Sequence, residues 1–305
     1  MNKPLLVLGS INADLYVEIE RLPLPGETLP GQNAAVRPGG KGANQAAAAA
    51  RLGADTWCIG QVGSDAYAPT MTAALRGNGV RTELLTTVAG ETGQAFILLQ
   101  QGGENSIIIV GGANQRWNGI SSPALECIRS AAALLLQREI PESINLAAAQ
   151  AAHAAGVPVV FDCGGADAPL PADILPLIAV LSPNETELAR LTGMPTNSDA
   201  EVLRAAKAMQ AKGVGTVLVK LGARGSLLVP KTGEPLRQSI FPVSVVDTTG
   251  AGDCFTAAYA VAMSEGLPET QRLRFAAAAA AICVTGLGAM PSMPERLAVE
   301  RLLSV

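Results

Sequence analysis

Histidine is nearly missing from this sequence: His153 is the single one in 305 residues. A catalytic triad could recruit no other imidazole, and a His-rich metal site, HExxH included, is excluded. Aromatic side chains make up only 3% of the chain, which argues against a base-stacking platform for nucleic acid. Basic charge is not in excess either. The 22 Lys and Arg stand against 26 Asp and Glu, for a net charge of −4, so no nucleic-acid partner is expected on a basic face. Cys58, Cys127, Cys163, Cys254 and Cys283 are odd in number and scattered, with no CxxC pair. They suggest neither a zinc site nor a disulfide framework, and free thiols fit a reducing, cytoplasmic compartment. The longest apolar run, about Ala276 to Val284, is far short of the roughly 20 residues that span a bilayer. The apolar start Leu5–Leu8 is too brief for a secretory signal, so no membrane partner is expected. No GxxxxGK[ST] occurs, and no GxGxxG follows the first apolar run, which sets aside Walker-type and dinucleotide-binding loops.

What is present is aliphatic and small. Hydrophobic residues are 49% of the chain, and Ala, Val, Ile and Leu must build the core. Strand and helix signals alternate. Strands are expected at Leu5–Ile11, Thr56–Val62, Ala132–Leu136, Val157–Phe161 and Thr216–Leu221. Helices are expected at Lys41–Leu52, Ala66–Arg76, Ser143–Ala155, Glu185–Leu191, Ala200–Lys212, Gly252–Glu265 and Leu273–Val284. Such alternation implies an α/β, doubly wound, mostly parallel sheet with helices on both faces. Two stretches break it. Leu15, Val17 and Ile19 alternate with Tyr16, Glu18 and Glu20, and Phe96–Leu99 and Ile107–Val110 flank Gly102-Gly103, a hairpin signal. These strands, at about 14–37 and 94–112, are expected to form a small antiparallel lid within one domain covering 1–305.

Four segments carry chemistry. Asp247-Thr-Thr-Gly-Ala-Gly-Asp253 reads as a Gly-rich turn between a strand, Val243–Val246, and an apolar helix. Backbone N–H groups converging at that helix N-terminus suit an anion. Asp253 there would repel phosphate, yet it makes sense as a general base facing a hydroxyl nucleophile. A capping Asp after a Gly turn has the same pattern. Gly39-Gly-Lys-Gly-Ala-Asn-Gln45 lets the backbone approach a ligand, with Lys41 and Asn44 as donors, or else makes a tight turn. Gly9-Ser-Ile-Asn-Ala-Asp14 ends the first strand, where open α/β sheets bind ligands, although Asn-x-Asp is also a common turn. Ser182-Pro-Asn-Glu-Thr-Glu187 opens a helix with Asn184 and Glu187 one turn apart, which is equally an ordinary capping pattern. His153 sits at a helix C-terminus, where a structural role is expected, and Trp57 and Trp117 are expected to pack apolar surface.

Together these segments resemble the ribokinase family, within the phosphofructokinase-B group of small-molecule kinases. The resemblance runs from Leu5 to about Pro294. It rests on GGKGANQAAAAARLG (Gly39–Gly53) and DTTGAGDCF (Asp247–Phe255), with GSINAD, SPNETE and Gly288-Ala-Met-Pro-Ser292 beside them. It implies transfer of the ATP γ-phosphate to O5 of ribose, with fructose or deoxyribose as alternative acceptors and a non-catalytic relative as a remoter one. A nucleoside acceptor is disfavoured by the lack of aromatics in the sugar motifs, and a sugar acid by Asp14 and Glu139. Asn12, Ala13, Asp14, Gly40, Lys41, Gly42, Ala43, Asn44, Glu139 and Asp253 match sugar-holding positions. Asp253 matches the catalytic base, and Gly250, Ala251 and Gly252 the anion hole that it completes. Asn184 and Glu187 match the segment that arranges phosphates and Mg²⁺. Lys220, Leu221, Gly222, Ala223, Arg224 and Gly225, with Gly252, Asp253 and Ala277, match the nucleotide site. Asp247, Thr249, Cys283, Gly286, Gly288 and Ser292 match a K⁺ site. The lid matches a homodimer interface. Ala277 replaces a residue that is often polar, and Asp162-Cys-Gly-Gly165 departs from a common Asn-Pro-Ala-Pro segment. Asp162 either helps manage Mg²⁺ or ends a strand facing water, the second being the expectation.

Overall fold

The computed structural model describes residues 3–100 and 105–304. In chain order its elements are β1 (Leu5–Leu8), β2 (Asn12–Ile19), β3 (Gln32–Gly39), α1 (Lys41–Arg51), β4 (Thr56–Val62), α2 (Tyr67–Gly77), β5 (Leu85–Thr87), β6 (Gly93–Gln100) and β7 (Asn105–Val110). They continue with α3 (Ser122–Ser130), β8 (Ala133–Leu136), α4 (Glu142–Ala154), β9 (Val159–Asp162), β10 (Val180–Ser182), α5 (Glu185–Thr192) and α6 (Asp199–Ala211). The last are β11 (Thr216–Lys220), β12 (Ser226–Val229), β13 (Leu236–Gln238), α7 (Ala251–Ser264), α8 (Glu269–Cys283) and α9 (Arg296–Leu303).

Nine strands form the main sheet, in the order β13-β12-β11-β10-β9-β8-β1-β4-β5. All neighbours from β11 to β5 are parallel, and β12 and β13 add antiparallel pairs at one edge. β1 shows why its residues read as one apolar run. Leu5 and Val7 point into a core shared with α1, α7 and α8, and Leu6 and Leu8 into a second core beneath α3, α4, α5 and α6. A strand covered on both faces has no polar side to reveal. α7 takes this further: every residue from Asp253 to Ala262 is buried, as expected of a helix enclosed by the sheet and neighbouring helices. Its Ala and Cys side chains allow the close approach.

The lid is a separate four-stranded sheet, ordered β3-β2-β6-β7. Its β2–β3 and β6–β7 hairpins are antiparallel, and the two are joined by a parallel β2–β6 pairing. A bulge between Tyr16 and Glu18 breaks the expected alternation, so Tyr16 and Ile19 are buried while Leu15 and Val17 are only half-buried. The Gly102-Gly103 turn lies outside the described residues. The first strand stops at Leu8 rather than Ile11, because Gly9 to Ile11 carry the chain out of the main sheet and into the lid. Trp57 and Trp117 pack against the second core as expected. His153 is an exposed residue of the last turn of α4.

Candidate active site

The site forms where β1 and β9 end, beside the N-termini of α1 and α7. Gly40 caps α1 with φ +91°, and a Cβ there would lie 2.9 Å from the Asn12 backbone nitrogen. Gly42 packs as closely on Gly9 and Ser10, where a Cβ would meet backbone at 2.6 Å. The glycines thus press α1 against the start of the lid, which brings Asn12, Asp14, Lys41 and Asn44 together. Ala13 and Ala43 are fully buried spacers. Glu139 closes the group: its Oε2 accepts from Ser10 Oγ at 2.6 Å and from the Lys41 backbone N–H at 3.1 Å.

Asp253 stands at the centre. Asn44 Nδ2 donates to its Oδ2 at 3.0 Å and Gln45 Nε2 to its Oδ1 at 3.2 Å, with Lys41 Nζ 3.8 Å from Oδ1. Burial, and then the charge of Asp162, push its carboxyl above the ordinary carboxylate value despite Lys41. Asp14 is pushed up to about 7, chiefly by burial and then by Glu139 and Asp253. Asp253 in turn holds Lys41 above the usual ammonium range. Among the described residues, Asp14 Oδ1 and Asn44 Oδ1 are buried with no hydrogen-bond partner. A buried acceptor left unpaired costs about 1–3 kcal/mol, and two of them near a raised carboxylate suit hydroxyl donors.

Gly250 caps α7 in the left-handed region, φ +79°, with no side chain bonded to the helix end. Ala251 N–H donates to Thr248 at 3.2 Å and Cys254 N–H to Gly250 at 2.8 Å. Gly252 and Asp253 supply the second and third helical N–H groups, which have no acceptor within the helix. The strand expected at Val243–Val246 is not formed. That segment is irregular, and its Val246 and Asp247 N–H groups donate to Val284 at the end of α8. Val245 and Val246 are exposed. Val245 lines a cleft of about 360 Å³ together with Lys220, Gly222, Ala223, Gly225, Gly252 and Ala277. Leu221 lies in the core below, and Arg224 turns away to pair with Glu185 and Asp199.

Asn184 and Glu187 bond to each other as a capping box, Asn184 N–H to Glu187 at 2.7 Å and Glu187 N–H to Asn184 at 2.8 Å. Asp162 corrects an expectation: it does not face water. It is buried, with Oδ2 accepting from Lys220 Nζ at 2.6 Å and Thr256 Oγ1 at 2.9 Å, and Oδ1 from Gly164 N–H at 2.9 Å. Against the cost of burial, Lys220 and then Lys41 hold its carboxyl below the ordinary range. The next glycines admit the site's side chains, since a Cβ on Gly164 or Gly165 would come within 2.6 Å of Lys41 or Glu139.

Beside α7, Asp247 Oδ1 accepts from Thr249 N–H at 2.9 Å and Thr249 Oγ1 at 2.7 Å, and Oδ2 from Gly288 N–H at 2.8 Å. Burial opposes its charge, but these bonds and the nearby Arg37 guanidinium keep its carboxyl below the ordinary range. Ser292 Oγ donates to the Gly288 carbonyl, and Gly286 N–H to the Cys283 carbonyl at 3.2 Å. The Cys283 thiol is buried against Cys254. The Asp247 carboxylate, the Thr249 and Ser292 hydroxyls and the Cys283 and Gly288 carbonyls are oxygen donors of the kind a hard cation takes. Among the described residues no cluster of three or more His, Cys, Asp or Glu side chains gathers as a metal site.

Several neighbours escaped sequence reading. Gln45 was visible inside the GGKGANQ motif but had no assigned role. Gln137 orients it, donating to Gln45 Oε1 at 2.8 Å. Asn114, in the Gly112–Gln115 turn, donates to Asn12 Oδ1 at 2.7 Å. It lies 102 residues away from Asn12, and no local pattern announces it.

The model of the pfkB family carbohydrate kinases matches residues 2–296, and the chain belongs to that family. A ribokinase from Arabidopsis thaliana is 53% identical over 98% of this chain and 81% of its own length. One from Haemophilus influenzae is 42% identical over 97% of both. The solved structure of Arabidopsis thaliana ribokinase complexed with ribose and ATP superposes with a TM-score of 0.97 at 51% identity, covering all of both chains.

Proposed function

We propose that the chain transfers the γ-phosphoryl group of ATP to O5 of D-ribose, giving D-ribose 5-phosphate and ADP. The observation that carries this is Asp253: a buried carboxylate of raised basicity, at a glycine-opened helix N-terminus, beside the unpartnered Asp14 and Asn44 oxygens. The 53% identity to a ribokinase over nearly the whole chain favours ribose as acceptor.

Asn12, Asp14, Gly40, Lys41, Asn44 and Glu139 hold the sugar hydroxyls, which both donate and accept. Asp253 takes the proton of the attacking hydroxyl. The N–H groups at Gly250–Asp253 receive the negative charge of the transferring group, so catalysis is mainly positioning and electrostatics. The nucleotide lies in the cleft floored by Gly222, Ala223 and Gly225, with Ala277 on its wall and Lys220 nearest the phosphates. Ala277 offers no hydrogen bond to a base, which favours apolar contact there. Mg²⁺, which neutralises phosphate charge when bound, fits beside Asn184 and Glu187 through water, because each side chain already accepts from the other residue's backbone N–H. K⁺ fits Asp247, Thr249, Cys283, Gly286, Gly288 and Ser292. The chain acts as one kinase domain. Among the described residues no helix is long and apolar enough to cross a membrane, and five free cysteines suit the cytoplasm.

The test is ADP formation from ATP and Mg²⁺ with ribose, deoxyribose, fructose, adenosine or no acceptor, in K⁺ or Na⁺. Ribose is expected to be the preferred acceptor, with stimulation by K⁺. Preference for another acceptor would overturn the sugar assignment, and silence on all of them with ATP still bound would make the chain a non-catalytic member.

A further inference from the structure

Arg37 belongs to none of the groups above, yet it bridges two of them. It is the cross-strand partner of Asp14 in the β2–β3 hairpin, so the sheet fixes its backbone relative to the sugar-side carboxylate. Its side chain leaves the lid. The guanidinium carbon lies 4.8 Å from the ring centre of the buried Tyr16, a cation–π distance. The end of the side chain then lies over Gly288, where an added Cβ would be 3.1 Å from Nη1 and 3.6 Å from Cδ. Gly288 N–H holds Asp247, Asp247 holds Thr249, and the next residue, Gly250, caps α7. A continuous set of contacts therefore runs from the lid strand bearing Asp14 to the helix that carries Asp253. It passes through the loop of the candidate cation site.

We propose that Arg37 is a positioning residue that couples occupancy of the sugar site to ordering of the Asp247–Gly288 loop, so that ribose and K⁺ each tighten the binding of the other. The inference rests on the sugar and cation sites proposed above. Its physical requirement is a lid contact that differs between states: with ribose bound, the lid sits where Arg37 braces the loop, and with K⁺ bound, the loop presents the surface Arg37 needs. Coupling of this kind is reciprocal, and a path of contacts counts as coupling only when both sites bias it.

The experiment is ribose binding by calorimetry in K⁺ and in tetramethylammonium at equal ionic strength, for the wild type, Arg37→Ala and Arg37→Lys. K⁺ is expected to tighten ribose binding in the wild type by at least about 5-fold, the lower end of ordinary coupling. In Arg37→Ala that factor is expected to fall toward one, with ribose affinity in tetramethylammonium little changed. Arg37→Lys keeps the charge but loses the planar fork, so an intermediate factor is expected. If Arg37→Ala does not fold, Arg37→Gln, which retains much of the stem, takes its place. The wild-type factor persisting without Arg37, or no factor in the wild type, overturns the proposal and leaves the sugar assignment standing. A wild type that binds ATP but no ribose in either salt overturns the sugar assignment, and this proposal with it.

Discussion

Three buried carboxylates share the site, and their partners decide what each can do. Asp253 is bonded by two amide donors rather than paired directly with a cation, and burial and the nearby Asp162 charge keep it basic enough to take a proton. Asp162 holds Lys220 directly and stays ionised. Replacing Asp162 by Asn leaves the partly buried Lys220 charge at the cleft without its counter-ion, which is expected to cost about 1–3 kcal/mol of stability. The double variant Asp162→Asn/Lys220→Thr should recover part of that loss in a urea titration. Asp14 behaves differently, because its folded pKa of about 7 lies above its ordinary value of 3.8. The folded state therefore binds more protons at this group between those values, and its contribution to stability falls as pH rises from about 4 to 7. Asp14→Asn removes that dependence. The melting temperature of the ligand-free variant, measured against wild type, should rise from pH 5 to pH 8. A difference that stays flat with pH would contradict the burial assigned to Asp14. Asp162 shows what the sequence concealed: its partner is 58 residues away, and no periodicity connects a strand end to the lysine that buries it.

Among the elements, α7 and its entry turn matter most to the chemistry. Gly250 adopts φ +79°, and a Cβ there would lie 2.8 Å from Ala289. Gly250→Ala is expected to cost on the order of 1–3 kcal/mol through the strained backbone, and more than that in turnover, since the helix N–H groups move with it. Thermal melting and steady-state rates together separate the two losses. The turn and the helix were legible because glycine spacing and an apolar run are local signals. Val243–Val246 misled for the same reason: a β-branched run reads as a strand, but here Val245 and Val246 stay exposed, Val245 on the wall of the cleft. Short strands such as β5, β10 and β13, three residues each, are below the length at which a period can be read. The helices over 41–51 and 185–192 fall within a residue of expectation, because glycine and Asn caps frame them.

At the scale of the molecule, the lid leaves apolar surface open. Val36, Ile107, Ile108, Ile109 and Val110 are all exposed, and β7 is an edge strand of the lid sheet. An exposed apolar edge invites pairing, and a second copy of the lid is the cover we propose. Ile108→Lys is expected to shift the protein from dimer to monomer in light scattering coupled to gel filtration. An unchanged mass would contradict that interface. The layered sheet was readable from the alternation of strand and helix signals, whereas the meeting of lid, α1, α7 and the β9 end is a tertiary fact. It depends on Gly40, Gly42, Gly164 and Gly165 at contacts that no local pattern predicts.

We propose Asp253 as the base at a sugar site whose other side chains hold ribose without it. The most direct measurement is turnover of Asp253→Asn with ribose and ATP, with ribose affinity determined on the same preparation. Asn keeps the shape, Gln45 can still donate to its single oxygen, and Asn44 can flip so that its unpartnered Oδ1 accepts from the new amide, so ribose binding should persist while turnover falls by about 10²–10⁴-fold. Turnover close to wild type, with ribose bound, would contradict the account.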